Sequence, residues 1–246
     1  SGDAQSPHER RVAHHFAARG WEVCAFNMRA SGGVPITSKE PMFSTLWSGG
    51  PDLLAALRAV REARPQARLC VVSTSMGASI AIKALGEEDE RAGTHGFDSL
   101  RLSGHVCISV PLDPVECSLF LHGAWKRRLV SIYLAQRLKI LLFRTGFSVP
   151  WRALDVYAME LAVVCKLHGL PQTHAGVLEY YRGGSPMPWL RHLRAPTLLL
   201  LAEDDPVIPP HTIPRAEAEE CSSVVLAVTP RGGHVGFLDR EDWNTL

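Results

Sequence analysis

The chain has 246 residues, 46% hydrophobic and 21% charged, which suits one domain with a sizeable core and room for one insertion. A formal net charge of +1 argues against a nucleic-acid binder, because no strong field would attract a polyanion. No apolar run is long enough to cross a bilayer. The opening SGDAQSPHER does not read as a targeting sequence, so the compartment stays open between cytoplasmic and membrane-associated.

Pro7 to Arg19 reads as a helix, with Ser6 available as N-cap, Pro7 in the first turn and Gly20 just past the end. His14 and His15 are adjacent and point to different faces, which favours a surface role over a ligand pair. Trp21 to Asn27 reads as the first strand, apolar enough to be central. The loop Asn27 to Gly33 bears glycines but lacks the lysine of a phosphate-binding loop, so nucleotide binding is rejected there. Gly50 to Arg64 reads as a second helix, with Asp52 placed to complement its dipole.

Leu69 to Val72 is a short β-branched run bounded upstream by Pro65, and reads as a buried strand. It passes through Ser73-Thr74-Ser75-Met76-Gly77 into a segment whose Ile80, Ala81, Ala84 and Leu85 recur at helical spacing. A strand, a tight turn centred on serine and a helix make the layout of a nucleophile elbow. Such a turn projects the Ser75 hydroxyl from the sheet edge and needs small residues two before and two after it. Gly77 meets that need, whereas Ser73 stands where the usual motif has glycine. The helix N-terminus behind the serine points its free N–H groups at the place where an oxyanion would form.

After a polar loop from Gly86 to Gly104, His105 to Val110 reads as a third strand, closed by Pro111-Leu112-Asp113-Pro114. Thr197 to Ala202 and Ser223 to Val228 read as two more. Strands alternating with helices imply a mostly parallel sheet with helices on both faces. Val115 to Ala195 breaks the alternation and reads as a helical lid inserted over the strand ends. Inside it, Lys126 to Arg144 mixes apolar and basic residues. A membrane-surface or acyl-chain-binding helix is one reading; a buried lid helix with solvated basic ends is the preferred one. The six cysteines, Cys24, Cys70, Cys107, Cys117, Cys165 and Cys221, form no C-x-x-C pair and are expected free, reduced and buried.

Two further motifs lie at strand ends. Leu198 to Pro209, LLLLAEDDPVIP, ends a strand in two acids, and Val224 to Leu238, VVLAVTPRGGHVGFL, ends one in a glycine pair and a histidine. Serine, acid and histidine thus follow the chain order of a Ser–Asp–His triad on an open α/β sheet, each just after a strand. Ser75 would attack an acyl carbonyl, His234 would shuttle the proton, and Asp205 would fix the histidine tautomer. Asp205 is preferred to Asp204 because it directly precedes Pro206-Val207-Ile208, and Asp113 is the weaker alternative. His234 to Asp239 also reads H-x-x-x-x-D, an acyltransferase-like spacing that is read as coincidence because the triad already requires the histidine.

With these residues in view, the chain resembles the YheT-like branch of the α/β-hydrolase superfamily, which includes mammalian alpha/beta-hydrolase-domain lipases and yeast medium-chain ester-forming enzymes. The matching stretches are Gly20 to Gly33, the elbow, Glu179 to Pro186, Ala202 to Pro209 and Gly232 to Leu238. The resemblance implies an α/β-hydrolase fold over residues 1–246 with a lid at about 115–195. It also implies hydrolysis of acyl esters or lipids through an acyl-serine at Ser75, with Asp205 and His234, the Met76 N–H as first oxyanion donor, and no metal or organic cofactor. The alternatives are an acyltransferase with the same triad, or a non-catalytic relative that binds lipid or a partner. Peripheral membrane contact is compatible with it, and oligomeric state is left open. The family has strands ahead of the first helix seen here, one of them between the Trp21–Asn27 strand and the elbow strand. The chain is therefore expected to be a fragment of a longer protein, incomplete at both ends.

Overall fold

The computed structural model describes residues 3–29, 31–34, 45–92, 100–144 and 146–237. Helix α1 (Pro7–Ala17) comes first, and Gly20, just past its end, takes the left-handed φ of +83° that its position as a helix stop requires. Helix α2 (Gly49–Ala63) follows, then strand β1 (Leu69–Thr74), helix α3 (Ser75–Ala92) and strand β2 (Leu102–Ile108). The segment between β2 and β3 is helical among its described residues. It comprises α4 (Pro114–His122), α5 (Trp125–Arg144), α6 (Val156–Met159) running through a π-turn (Glu160–Val164) into α7 (Cys165–Leu167), and α8 (His174–Gly184). Strand β3 (Thr197–Ala202), helix α9 (Arg215–Glu220) and strand β4 (Val224–Thr229) complete the described chain.

The four strands pair in chain order, β1-β2-β3-β4, all parallel. Register aligns Val71, His105, Thr197 and Val224 in one row and Ser73, Cys107, Leu199 and Leu226 two residues on, on the same face of the sheet. This face is the buried one: His105, Cys107, Thr197, Leu199 and Leu201 are each at most 2% exposed. Its core is joined by Ala78, Ile82 and Leu85 of α3, which packs against α2 on one side and the 3₁₀ turn Met187–His192 on the other. Gly86 lets the last of these contacts form, since a Cβ there would stand 2.7 Å from the Trp189 carbonyl oxygen.

Three local expectations are corrected. Trp21–Asn27 is not a strand: it has no ladder partner, and Trp21, Val23 and Phe26 remain 38–42% exposed. Between it and the edge of β1 lies an open volume of about 690 Å³, walled also by Val12 and Phe16 of α1 and by Val72, Val106 and Val225 on the second face of the sheet. A strand needs a neighbour within reach of its N–H and C=O groups, and here the nearest edge is a cavity away. That second face is therefore only partly covered. The same opening explains the second correction: Cys24 and Cys70 are exposed and Cys221 is half-buried, whereas Cys107, Cys117 and Cys165 are buried, and all six thiols are free. Third, Gly86 is not the start of a loop. Helix α3 continues through the acidic GEEDERA to Ala92, where Lys83 and Arg91 pair with Glu87 at i,i+4.

Smaller differences follow from side-chain partners. Strand β2 starts earlier than His105 and ends at Ile108, because Ser109 turns the chain with φ +49°. Asp52 sits in the first turn of α2 as expected, yet its carboxylate is engaged by Arg29, whose Nε and Nη2 each donate to it at 2.5 Å. His14 and His15 are exposed. No helix among the described residues is long and apolar enough to cross a membrane.

Candidate active site

Strand β1 delivers the chain to Ser75 and α3 carries it away, and the reversal forces Ser75 into the left-handed region at φ +50°. A non-glycine residue holds that conformation only where its surroundings impose it. Ser75 Oγ lies 2.8 Å from His234 Nε2. His234 Nδ1 is in turn 2.8 Å from Asp205 Oδ2 and 3.1 Å from Asp205 Oδ1. Asp205 is 2% exposed, and its Oδ1 accepts from the Val207 and Ile208 N–H groups at 2.7 and 3.1 Å. A buried carboxylate held by two backbone donors and facing a ring nitrogen fixes the imidazole with its proton on Nδ1, leaving Nε2 to accept from the serine hydroxyl. Ser75, Asp205 and His234, expected from the sequence to act together, are thus brought together, with His234 between the other two. Met76 follows Ser75 in the first turn of α3, among the N–H groups that a helix leaves without an intrahelical partner.

The two alternative acids have other work. Asp113 caps α4, its Oδ1 accepting from Glu116 N–H at 3.0 Å. Asp204 Oδ1 accepts from the Gly232 and Gly233 N–H groups at 2.9 and 2.8 Å, so it holds the loop that presents His234. Ser109 grips the same loop from the other side, its buried Oγ accepting from Val235 N–H at 2.9 Å, while Val235 itself sits at φ +63°. Asp204 and Ser109 thus hold the backbone of the loop that carries His234, a contact that the sequence did not reveal. The acidic doublet was the only signal for the first, and a serine at a strand end followed by Val-Pro is too common to signal the second. Asp204→Ala is expected to lower kcat about 10- to 100-fold with a smaller change in KM, since a 1 Å displacement of a catalytic group carries a cost of that order. Steady-state kinetics on a soluble ester check this; unchanged kcat would free the loop from Asp204.

Ser73, where the elbow motif has glycine, also finds a partner. Its Oγ lies 2.8 Å from His105 Nε2 and donates to the Val106 carbonyl at 3.3 Å. Burial pushes the His105 imidazole down to about 4, so it stands neutral beneath the elbow. The small size of Gly77 is not forced by space here, because a Cβ would meet only the Met28 methyl, at 3.7 Å. The wall opposite it is the open volume beside β1, which also reaches Ser73 to Gly77. Asp239, the last residue of the H-x-x-x-x-D spacing, lies outside the described residues.

Several known proteins resemble the chain in sequence or in fold. Monoacylglycerol lipase ABHD2 of Danio rerio is 26% identical over 249 residues, covering 94% of this chain and 54% of its own length. The Escherichia coli protein YheT is 26% identical, covering 96% of this chain and 68% of its own length. Human phospholipase ABHD3 is 22% identical, covering 97% and 57%. The chain thus spans little more than half the length of the first of these relatives. Among solved structures, the Pyrococcus furiosus esterase Pf2001 superposes with a TM-score of 0.57 at 17% identity, over 99% of this chain and 74% of that one, which shows the shared fold. The sequence model of the alpha/beta hydrolase family matches residues 6–244, and with its parallel sheet and its serine at the strand-to-helix turn the chain belongs to that family.

Proposed function

We propose that the chain carries the catalytic core of a serine carboxylester hydrolase acting on lipid acyl esters. The observation that supports this most is the continuous hydrogen-bonded line from Ser75 Oγ through His234 to the buried Asp205 carboxylate. Relatives named monoacylglycerol lipase and phospholipase favour acyl glycerides or phospholipids as the substrate class.

In this reading Ser75 Oγ attacks the ester carbonyl carbon while its proton passes to His234 Nε2. The imidazolium so formed is stabilised by Asp205, which stays ionised. The carbonyl oxygen, now an oxyanion, is received at the N-terminus of α3 by the Met76 N–H. Collapse breaks the ester C–O bond, and His234 returns the proton to the departing alcohol, leaving acyl-Ser75. Water then repeats the sequence with His234 as base, releasing the carboxylic acid and restoring the serine hydroxyl. An alcohol in place of water would give acyl transfer by the same route.

The test is labelling by a fluorophosphonate probe, which needs an activated serine and no particular substrate. The chain is expected to label, and Ser75→Ala to lose all labelling with its thermal transition intact. A cooperatively folded chain that fails to label, also when extended upstream, would overturn the hydrolase reading in favour of a non-catalytic binding relative.

A further inference from the structure

Between Glu116 and Asp155 the sequence contains no acidic residue, whereas it contains seven lysines and arginines. The whole chain has a net charge of only +1, so this lid segment is a strongly basic island on an otherwise acidic remainder. Helix α5 occupies its centre. The helix is anchored by its buried Ser131, Ala135, Lys139 and Leu142. The opposite face is bare: Trp125, Leu129, Tyr133, Ile140 and Phe143, between 45% and 71% exposed, fall on one stripe at helical spacing. Lys126, Arg137 and Arg144, all exposed, follow one border of that stripe, and Arg128 stands on the other. The loop after α5 extends the pattern with exposed Trp151, Arg152 and Leu154, and is tied to the helix where Lys139 Nζ donates to the Trp151 carbonyl at 3.1 Å. This corrects the expectation of a buried lid helix with solvated ends.

We infer that this face of the lid docks on an anionic lipid surface. Aromatic and aliphatic side chains on one stripe, bordered by basic residues, match an acyl–headgroup boundary: the rings and aliphatic groups enter it while the cations meet the headgroups. Among the described residues no carboxylate pairs with Lys126, Arg137, Arg144 or Arg152, and Arg128 has only Asp155, at 3.9 Å. The cations can therefore take lipid phosphates or carboxylates. A second copy is a poorer occupant, because two-fold packing of this face on itself would set basic borders against basic borders. The proposal goes beyond the ester-hydrolase reading and is tested without it.

The test is sedimentation of the Ser75→Ala chain, which cannot turn over lipid, with vesicles of phosphatidylcholine alone or with added phosphatidylserine. Binding is expected to the anionic vesicles and to weaken at high salt. The triple variant Lys126→Glu, Arg137→Glu, Arg144→Glu should reduce partitioning at least 100-fold, as each basic group near an anionic surface is worth about fivefold. Trp125→Ala with Phe143→Ala should reduce it about 10- to 100-fold through the apolar term. In the chain with Ser75 intact, both sets should leave turnover of a short soluble ester unchanged. Equal binding to neutral vesicles, no binding to either, or binding unaffected by both sets would overturn the proposal. So would a dimer dissociated by Trp125→Ala and Phe143→Ala, or an oligonucleotide bound through the same basic residues more tightly than the anionic vesicles.

Discussion

Asp205→Asn is expected to lower kcat about 10⁴-fold while leaving the melting temperature close to that of the parent chain. The amide keeps the size of the carboxylate, and its oxygen can still accept from the Val207 and Ile208 N–H groups that Asp205 Oδ1 now serves. What changes is the atom facing His234. An amide nitrogen there donates to Nδ1, which must then give up its own proton, and the ring proton moves to Nε2. That nitrogen can no longer accept from Ser75 Oγ, which lies 2.8 Å away. The loss therefore belongs in kcat, with KM little affected, and fluorophosphonate labelling should slow in proportion. Rates within tenfold of the parent would show that another group orients His234.

Leu199→Ala is expected to lower stability by about 2–5 kcal/mol. Leu199 is fully buried in the middle of the sheet, in register between Cys107 on β2 and Leu226 on β4. Truncation opens a cavity among strands that cannot close without breaking the ladder. For a chain of this size that corresponds to a fall in melting temperature of roughly 5–20 °C. Val225→Ala, on the other face of β4 and 63% exposed, should stay within about 0.5 kcal/mol. Differential scanning calorimetry on both variants checks the contrast. Similar losses for the two would mean that the second face of the sheet is as well covered as the first.

The parts of this fold that the sequence made legible were those whose signal is local. Thr197–Ala202 carries four leucines in a row and forms β3 with the expected bounds; Leu69–Thr74 and Val224–Thr229 differ from expectation by a residue or two. Ser75, Asp205 and His234 could be picked out because each sits at a strand end in a stereotyped turn. Trp21–Asn27 has the same apolar composition as a strand and is none, since pairing depends on a neighbour that composition does not report. The end of α3 was hidden for the opposite reason. Its acids look like a loop until Lys83 and Arg91 are placed one turn away from Glu87. Asp204 and Ser109 act on backbone groups 28 and 126 residues distant, a separation no local pattern encodes. The exposed stripe of α5 was ambiguous because a helix carrying both apolar and basic residues fits a buried or an interfacial role until burial is known.

The left-handed backbone at Ser75 carries a kinetic implication. The conformation is held from outside, by β1 pulling on one side and the first turn of α3 on the other. Left alone, the residue would relax to an ordinary φ, and its hydroxyl would swing away from His234. Reactivity therefore depends on that first turn staying formed. As temperature or denaturant rises, fraying of the first turn of α3 should silence the serine while the sheet is still intact, so that loss of reactivity reports the loosening of one turn rather than the melting of the domain.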